Sequence, residues 1–248
     1  MEIRTYGGEE RTLECERRLS GALCDGAFGR LIILPVPTSP DGEYIKGTSV
    51  LVTDVAELVE VDTAVVGYNI PPPIVSRAGQ VGARLFDAAF DEDFLLENAE
   101  LTARGAVGYI LTSFKCDPSD MKIGIVGYGR IGKCLLRLLL FLKARVTLYT
   151  TRREVALSMC EVGVPACVID ENCDFSGLDI LINTAPARQI NPSRLDEKTK
   201  TIDLASGNVF DGAEGVVKLS SVPTKYYPIT AGRVYAMAAE RALSGGKV

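Results

Sequence analysis

The fold is decided by residues 122–132, which read KIGIVGYGRIG. Residues 122–126 form a short apolar run, which is typical of a strand buried on both faces. The Leu-rich run at 133–142 predicts a helix, and residues 145–149 predict a second strand. Two strands joined by a helix form a β-α-β unit, and such a unit requires a parallel sheet.

Three glycines follow the first strand at positions 127, 129 and 132, with the spacing G-x-G-x-x-G. In such a loop the glycines allow a tight turn, a close approach of the backbone to a pyrophosphate, and close packing of helix on strand. The helix N-terminus adds free N–H groups and the positive end of the helix dipole. The motif predicts a dinucleotide-binding loop, and a tight turn that binds nothing is the alternative. The residues assigned to this loop are Gly127, Tyr128, Gly129, Arg130, Ile131 and Gly132.

The end of the second strand indicates which nicotinamide nucleotide is preferred. NAD-specific sites carry Asp or Glu there, about 20 residues after the glycines. This chain instead has Thr150, Thr151, Arg152 and Arg153, with no carboxylate before Glu154. Arginine pairs bidentately with phosphate, so the two arginines suit a 2′-phosphate. The alternative is that they are only the solvated start of a helix, but arginine at a helix N-terminus opposes the helix dipole, which makes this explanation the weaker one. The sequence favours NADP(H), and NAD(H) remains the alternative.

Polar side chains follow two later strands of the same predicted sheet. Asn183, Thr184 and Pro186 come after one strand, and Asp203 and Ser206 come at the end of the next. Ligands of parallel sheets lie at the carboxyl ends of the strands. We therefore expect the first group to border the nicotinamide ribose and the second to be candidate catalytic residues. An ordinary strand-to-loop turn is the alternative for each.

Strands and helices alternate along the rest of the chain. We predict further strands at 2–6, 30–34, 63–66, 83–86, 166–169, 179–183, 201–204 and 216–219. We predict further helices at 10–19, 54–60, 74–80, 101–114, 154–162 and 230–244, with Asp54 as an N-cap. The pattern indicates an α/β protein with two lobes, of which the second is a Rossmann-type doubly wound parallel sheet and the first is a smaller α/β lobe. The expected domains are the first lobe at 1–97, the dinucleotide-binding domain at 98–228, and a C-terminal helix at 229–248 that packs back on the first lobe.

Candidate substrate residues also occur in the first lobe. The loop after the strand at 30–34 is stiffened by prolines and presents the hydroxyls of Thr38 and Ser39 to a substrate carboxylate. Asn98 lies at the expected hinge between the lobes. Rigid connecting loops without a binding role explain these positions equally well.

The composition excludes several kinds of chemistry and of partner. The 248 residues include no His, which removes histidine acid–base catalysis, His-activated nucleophiles and His-ligated metal sites. The seven cysteines show no C-x-x-C spacing, which favours reduced thiols in a cytoplasmic protein and predicts no metal site. The net charge of -5 argues against nucleic-acid binding. We expect no signal peptide and no membrane helix, because charges follow Met1 and the longest apolar run is interrupted at Arg137 and Lys143.

Taken together, the sequence resembles the family of dipicolinate synthase A subunits, which is related in its second lobe to the D-isomer-specific 2-hydroxyacid dehydrogenases. The glycine loop is common to many families, whereas the ordered combination with the later stretches is more specific. The stretches that carry the resemblance are 7–11 (GGEER), 32–36 (IILPV), Asn98 with Thr102 and Gly105, 125–132 (IVGYGRIG), 179–186 (DILINTAP), 203–206 (DLAS) and 230–232 (TAG).

The resemblance implies a two-lobed oxidoreductase that binds a nicotinamide nucleotide between its lobes. Its substrate would be a small dicarboxylate, a hydroxylated tetrahydrodipicolinate, which is oxidised to aromatic dipicolinate with loss of water. The resemblance also implies a role in sporulation and a partner, a flavoprotein-like B subunit. The large apolar content of short lobes hints at a homo-oligomer as well.

The chain departs from the family pattern at positions expected to face the substrate. Arg104 stands where the family tends to have Glu, Ile229 stands where it tends to have Lys, and the first lobe is shorter between Leu19 and Arg30. Arg104 is therefore a candidate for holding a substrate carboxylate. Two alternatives stay open, namely a dehydrogenase for another small carboxylate and an NADP(H)-binding protein without turnover. The candidates for the catalytic role are Thr38, Ser39, Asn98, Arg104, Asp203 and Ser206.

Overall fold

The computed structural model describes residues 1–22, 28–170, 173–186, 190, 194–205, 210 and 215–244. The chain forms two compact units, of which the first joins Met1–Asn98 with Pro223–Val248 and the second is Ala99–Val222. The first unit holds a four-stranded sheet and the second a six-stranded sheet. Every strand pair described is parallel. These sheets confirm the predicted α/β class with two lobes.

The first unit alternates strands and helices. Its strands are β1 (Glu2–Thr5), β2 (Arg30–Ile33), β3 (Thr63–Gly67) and β4 (Arg84–Asp87). Its helices are α1 (Glu10–Ala22), α2 (Val52–Glu57), α3 (Pro72–Val81) and, near the end of the chain, α8 (Pro228–Leu243). Helix α4 (Glu92–Ser113) begins in this unit and continues into the second, and α7 (Val222–Tyr226) crosses the later boundary.

The second unit has the strand order of a dinucleotide-binding fold. Its strands are β5 (Lys122–Val126), β6 (Arg145–Thr150), β7 (Ala166–Val168), β8 (Ile180–Asn183), β9 (Lys200–Asp203) and β10 (Val216–Lys218), and its helices are α5 (Arg130–Phe141) and α6 (Arg153–Glu161). The strands lie in the order β10-β9-β8-β5-β6-β7. Read from β7, this is the 3-2-1-4-5-6 order of the Rossmann fold, in which ligands bind where the order reverses. That point lies between β5 and β8.

Strand β5 is buried on both faces, as its apolar sequence predicts. Ile123 and Ile125 point to one face of the sheet and pack in a core with α4 and α5. Val126 points to the other face and packs with Tyr149 and Phe175. A strand held on both sides in this way fixes the position of the glycine turn that follows it.

The four strands of the first unit lie in chain order, so each connection moves one strand across the sheet in the same direction. Leu31 and Ile33 of β2 pack on the face that carries α1, whereas Ile32 and Leu34 pack on the face that carries α2 and α3. The β1-α1-β2 connection therefore has the opposite hand to the next two connections. Parallel connections are right-handed in about 98% of cases, so a change of hand within one sheet is unusual.

Helix α8 packs closely against α1 in the first unit. A Cβ atom on Gly232 would lie 2.6 Å from the backbone oxygen of Arg11, so only glycine allows this approach. The buried Tyr235 hydroxyl donates a hydrogen bond of 3.1 Å to the carbonyl of Leu34 at the end of β2. These contacts attach the end of the chain to the first sheet.

The structure corrects the predicted start of two helices. Helix α2 begins at Val52 with Leu51 as its N-cap, so Asp54 lies in the first turn and the prediction of Asp54 as the cap is wrong. The helix starts earlier because Val52 and Val55 are both buried against the sheet. Helix α4 also begins earlier than predicted, at Glu92, and α7 was not predicted. In the described part of the chain, no helix has the length and apolar character needed to cross a bilayer.

Candidate functional site

The glycine turn connects the buried strand β5 to helix α5. Gly127 has a φ of +95°, a left-handed conformation that favours glycine, and its N–H donates a hydrogen bond of 2.9 Å to the carbonyl of Tyr149. A Cβ atom on Gly132 would lie 2.2 Å from the carbonyl oxygen of Gly127. The helix therefore packs directly on the turn, which requires glycine at position 132.

The outer side of this turn is open. Gly129 is the N-cap residue of α5, and among the described residues no side chain caps the helix there. A Cβ atom on Gly129 would meet no atom within 4 Å. Uncapped N–H groups at a helix N-terminus, with open space before them, suit a bound phosphate. The residues of this turn thus fit the diphosphate of a dinucleotide.

The other three residues of the motif are Tyr128, Arg130 and Ile131. Arg130 is exposed at the first position of α5, whereas Tyr128 and Ile131 are half-buried and pack against the core of the second unit. The Lys133 ammonium lies 5.5 Å from the centre of the Tyr128 ring. Arg130 and Lys133 therefore place two cationic residues in the first turns of α5.

The end of β8 supports the turn from beside it. The hydroxyl of Thr184 donates a hydrogen bond of 2.8 Å to the carbonyl of Val126, and its N–H donates to the same carbonyl at 2.9 Å. A Cβ atom on Gly127 would lie 2.8 Å from this hydroxyl. Thr184 therefore holds the turn in place, and Pro186 is exposed at the end of the same segment.

Asn183 and Asp203 link the ends of β8 and β9. The Asn183 side-chain amide donates to Asp203 Oδ1 at 2.8 Å, and the same oxygen accepts the N–H of Ala205 at 3.1 Å. Both side chains are 1% exposed. Asp203 Oδ2 has no hydrogen-bond partner among the residues that the structure describes, and the ammonium of Lys218 lies 3.6 Å from it. The structure places Asp203 as a support for the neighbouring strand end, while Ser206 lies outside the described residues.

The end of β6 carries the residues expected to select the nucleotide. Thr150 is buried and its hydroxyl accepts the N–H of Arg152 at 3.2 Å, whereas Thr151, Arg152 and Arg153 are exposed. The guanidinium of Arg152 reaches across and donates to the carbonyl of Tyr128 at 2.9 Å. The end of β6 is thereby joined to the glycine turn, and the local charge there is positive.

The candidates in the first unit have internal hydrogen bonds. Thr38 is fully buried, and its hydroxyl accepts the N–H of Tyr68 at 3.0 Å, which braces the loops after β2 and β3. Ser39 donates to Asp41 at 3.1 Å. Asn98 accepts a hydrogen bond of 3.1 Å from Arg11. The structure therefore gives each of these polar side chains a structural partner.

Arg104 lies on α4 and is paired within that helix. Its guanidinium donates to Glu100 at 2.6 Å, and Glu100 also accepts a hydrogen bond from Arg137 of α5. Arg104 is therefore an exposed cation in a salt-bridge network on the surface of the second unit.

Two cations that lie near strand ends, Lys218 in the second unit and Arg11 in the first, were not predicted from the sequence. Lys218 lies beside Asp203, and its place depends on the pairing of β10 with β9. Arg11 is buried in the first turn of α1, where an arginine opposes the helix dipole. That unfavourable position was a signal available in the sequence.

Comparisons with known proteins agree on the fold. No family model matches the sequence, and a search of curated proteins found no match. The A chain of dipicolinate synthase from Bacillus subtilis superposes with a TM-score of 0.78 and 22% identity, covering 99% of this chain and 96% of that one. The A subunit of dipicolinate synthase from Bacillus halodurans gives a TM-score of 0.80 and 22% identity, with 98% of each chain covered.

A more distant similarity extends to the D-isomer-specific 2-hydroxyacid dehydrogenase of Lactobacillus delbrueckii ssp. bulgaricus. Its NAD-complexed structure gives a TM-score of 0.51 and 12% identity, and the match covers 100% of this chain and 98% of that one. The fold of this chain is therefore that of the dipicolinate synthase A subunits, which confirms the fold that the sequence resemblance implied.

Proposed function

We propose that this chain is an NADP(H)-dependent oxidoreductase of the dipicolinate synthase type, acting on a small cyclic dicarboxylate. The observation that carries the proposal is the open, uncapped glycine turn at the carboxyl end of β5. It lies next to the point where the strand order reverses, which is where dinucleotides bind in this fold. The fold shared with the A subunits of two dipicolinate synthases supports the choice of reaction.

The nucleotide would be held by the residues around the turn. The first N–H groups of α5 and the backbone at Gly129 would bind the diphosphate, with Arg130 adding a charge. Arg152 and Arg153 would bind a 2′-phosphate, which they match in charge and geometry, and the residues from Asn183 to Pro186 would border the nicotinamide ribose. When bound, an oxidised nicotinamide supplies the hydride acceptor for the reaction.

The chain's own part in the chemistry is to bind, orient and protect the substrate. Conversion of a hydroxylated tetrahydrodipicolinate to dipicolinate removes one water, one hydride and one proton. Aromatisation of the ring favours the product, so the reaction depends less on a strong general base. This is compatible with a chain that contains no His. NAD(H) as the preferred nucleotide and another small carboxylate as substrate remain the alternatives within this enzyme class.

An assay of dipicolinate formation and NADP⁺ reduction tests the proposal. The purified chain is incubated with the hydroxylated precursor, with NADP⁺ or NAD⁺, and with or without a flavoprotein-like B subunit. We expect dipicolinate and reduced nucleotide in equal amounts, with NADP⁺ as the better acceptor. Absence of binding to both dinucleotides contradicts the proposal.

A second candidate is an NADP(H)-binding protein without turnover. It is favoured by the internal partners of the described candidate residues, since Thr38 braces Tyr68, Arg104 pairs with Glu100, and Asp203 holds Asn183. The same assay separates the two functions. Tight NADPH binding without product, with and without a B subunit, supports this second candidate.

A further inference from the structure

Arg11 brings a buried positive charge into the first unit. Its side chain is almost fully buried, with the guanidinium 5.4 Å from the centre of the Phe94 ring and 5.7 Å from that of Tyr235. Its Nη2 donates to Asn98, while its Nε is buried and has no hydrogen-bond partner in the described part of the chain. Among the described residues, no carboxylate forms an ion pair with it. Burial lowers the pKa of Arg11 to about 10, so the group is charged at neutral pH.

If Arg11 had only a structural role, its buried positive charge would be poorly compensated. Removing an ion from water is costly unless a counter-charge or several hydrogen bonds replace the lost solvent. The two aromatic rings stabilise the cation in part. The first turn of α1 opposes it, because the positive end of the helix dipole lies there. The free Nε donor and the remaining charge suit an anion.

Lys46 is a second cation in the first unit, and its ammonium contacts the chain just after the end of β2. The ammonium of Lys46 is 2.6 Å from Glu9 Oε1 and donates to the carbonyl of Val36 at 3.1 Å. The other carboxylate oxygen of Glu9 is buried, and no described residue forms a hydrogen bond with it. Glu9 also interacts electrostatically with Arg11, since it raises the pKa of that guanidinium against the effect of burial. Glu9 therefore forms an ion pair with Lys46 and stands two positions before Arg11 in the chain.

The charges in this cluster do not cancel. Arg11 and Lys46 contribute two positive charges and Glu9 one negative charge, which leaves a single positive charge. Glu10, the first residue of α1, is exposed. The following acid on that helix, Glu14, is engaged by Arg17, Arg18 and Arg233. A site with one net positive charge is suited to one carboxylate.

The cluster also lies where a parallel sheet binds ligands. Glu9 and Arg11 follow β1, and Lys46 contacts the backbone of Val36 just after β2. The carboxyl ends of neighbouring parallel strands form the ligand edge of an α/β sheet. Position and charge therefore point to the same use.

We propose that Arg11 and Lys46 form a carboxylate-binding site on the first unit, with Glu9 as the resident anion that competes with the ligand. The ligand class is a small dicarboxylate, and this choice rests on the proposed function. Lys46 donates charge-assisted hydrogen bonds to the carboxylate, and the buried Arg11 supplies the second positive charge. Glu9 keeps the site partly neutral when no ligand is bound.

Calorimetric titration of dipicolinate and of glutarate into the full chain tests this site. We expect Lys46→Met to weaken dipicolinate binding about tenfold, because a charge-assisted hydrogen bond is lost. We expect Glu9→Gln to strengthen binding several-fold, because the competing negative charge is removed. Arg11→Lys should weaken binding while keeping the charge, since the planar donor group is lost. Lys225→Met, which removes an exposed lysine of the same unit, serves as the control and should change nothing.

NADPH titrations of the same variants separate this proposal from the proposed function. We expect unchanged NADPH affinity in all four variants, because the glycine turn belongs to the second unit. Should Arg11→Lys fail to fold, the opposite effects of Lys46→Met and Glu9→Gln still decide. The site is refuted if the wild-type chain binds neither dicarboxylate, or if Lys46→Met and Glu9→Gln leave the affinity unchanged. Normal dicarboxylate binding without NADPH binding instead refutes the proposed function alone.

Discussion

The two sheets of this protein carry different chemical groups at the carboxyl-end edge, the edge formed by the carboxyl ends of their strands. At the carboxyl end of β5, the second unit presents backbone N–H groups around Gly129 and no capping side chain among the described residues. At the carboxyl ends of β1 and β2, the first unit presents the charged side chains of Glu9, Arg11 and Lys46. The first kind of edge depends on the local spacing of glycines. The second depends on residues that are brought together only by folding.

The largest effect is expected for Gly132→Ala, which changes the glycine turn at the carboxyl end of β5. Its Cβ atom would lie 2.2 Å from the carbonyl oxygen of Gly127, and neither backbone segment can yield without moving the turn. We expect a loss of about 1–3 kcal/mol in the free energy of unfolding and a loss of NADPH binding. Thermal unfolding and calorimetric titration measure the two effects.

Gly129→Ala, in the same turn, is the control for the effect on stability. Its Cβ atom meets nothing within 4 Å, and we expect normal stability. NADPH affinity should still fall at least about tenfold, because the methyl group occupies the space proposed for the diphosphate. Wild-type NADPH affinity in both variants contradicts the assignment of the turn.

An effect on stability that leaves the glycine turn intact is expected at the support between β8 and β9. Asp203→Ala leaves the Ala205 N–H without its acceptor and removes one of the two acceptors of the Asn183 amide, which also donates to the carbonyl of Ala185, at a total cost of about 1–3 kcal/mol. Asp203→Asn keeps an acceptor oxygen and should be less destabilising. Chemical denaturation of both variants measures the difference, and equal stability of the two excludes this role for Asp203.

The charge at the end of β6 should affect nucleotide choice rather than stability. We expect Arg152→Ala to weaken NADPH binding about tenfold, because a charge-assisted bond to phosphate is lost, and to leave NADH binding nearly unchanged. Arg145→Ala, at the opposite end of the same strand, is the control. If Arg152→Ala weakens both nucleotides equally, the role of Arg152 is to hold the Tyr128 carbonyl and not to select the phosphate.

The smallest effect concerns a loop of the first unit. The N–H groups of Tyr44 and Glu43 bind the Asp41 carboxylate and lower its pKa below the ordinary value of 3.8. A carboxyl whose pKa is lower in the folded state stabilises the fold above its unfolded pKa and loses this effect as the pH falls through its folded pKa. We expect Asp41→Asn to flatten slightly the fall in Tm on acidification below about pH 4. Parallel Tm curves for wild type and variant contradict this.

Most of the fold could be predicted from the sequence because its signals are local. The apolar run at 122–126, the glycines after it and the alternation of strands and helices define the second unit. Helix starts were less predictable, as at α2, where burial of Val52 and Val55 outweighs the capping preference of Asp54. The change of hand at α1 had no local signal, because it depends on which face of the sheet the helix covers.

The two edges also differ in how far the sequence predicts them. Residues 127–132 were identified as one motif, since each glycine has a distinct backbone role within the same turn. Arg11 and Lys46 are 35 positions apart in the sequence, and nothing in their local patterns joins them. Only the pairing of β1 with β2 and the shared neighbour Glu9 brings them into one cluster. Thr38 and Ser39 were selected instead because they lie in a conspicuous proline loop.

Calorimetric titration of NADPH into the wild-type chain shows whether the glycine turn binds a dinucleotide. We expect one binding site per chain with saturable heat, and weaker binding of NADH under the same conditions. Absence of binding heat for both nucleotides, confirmed by unchanged nucleotide fluorescence, would contradict the assignment of the glycine turn as a dinucleotide site.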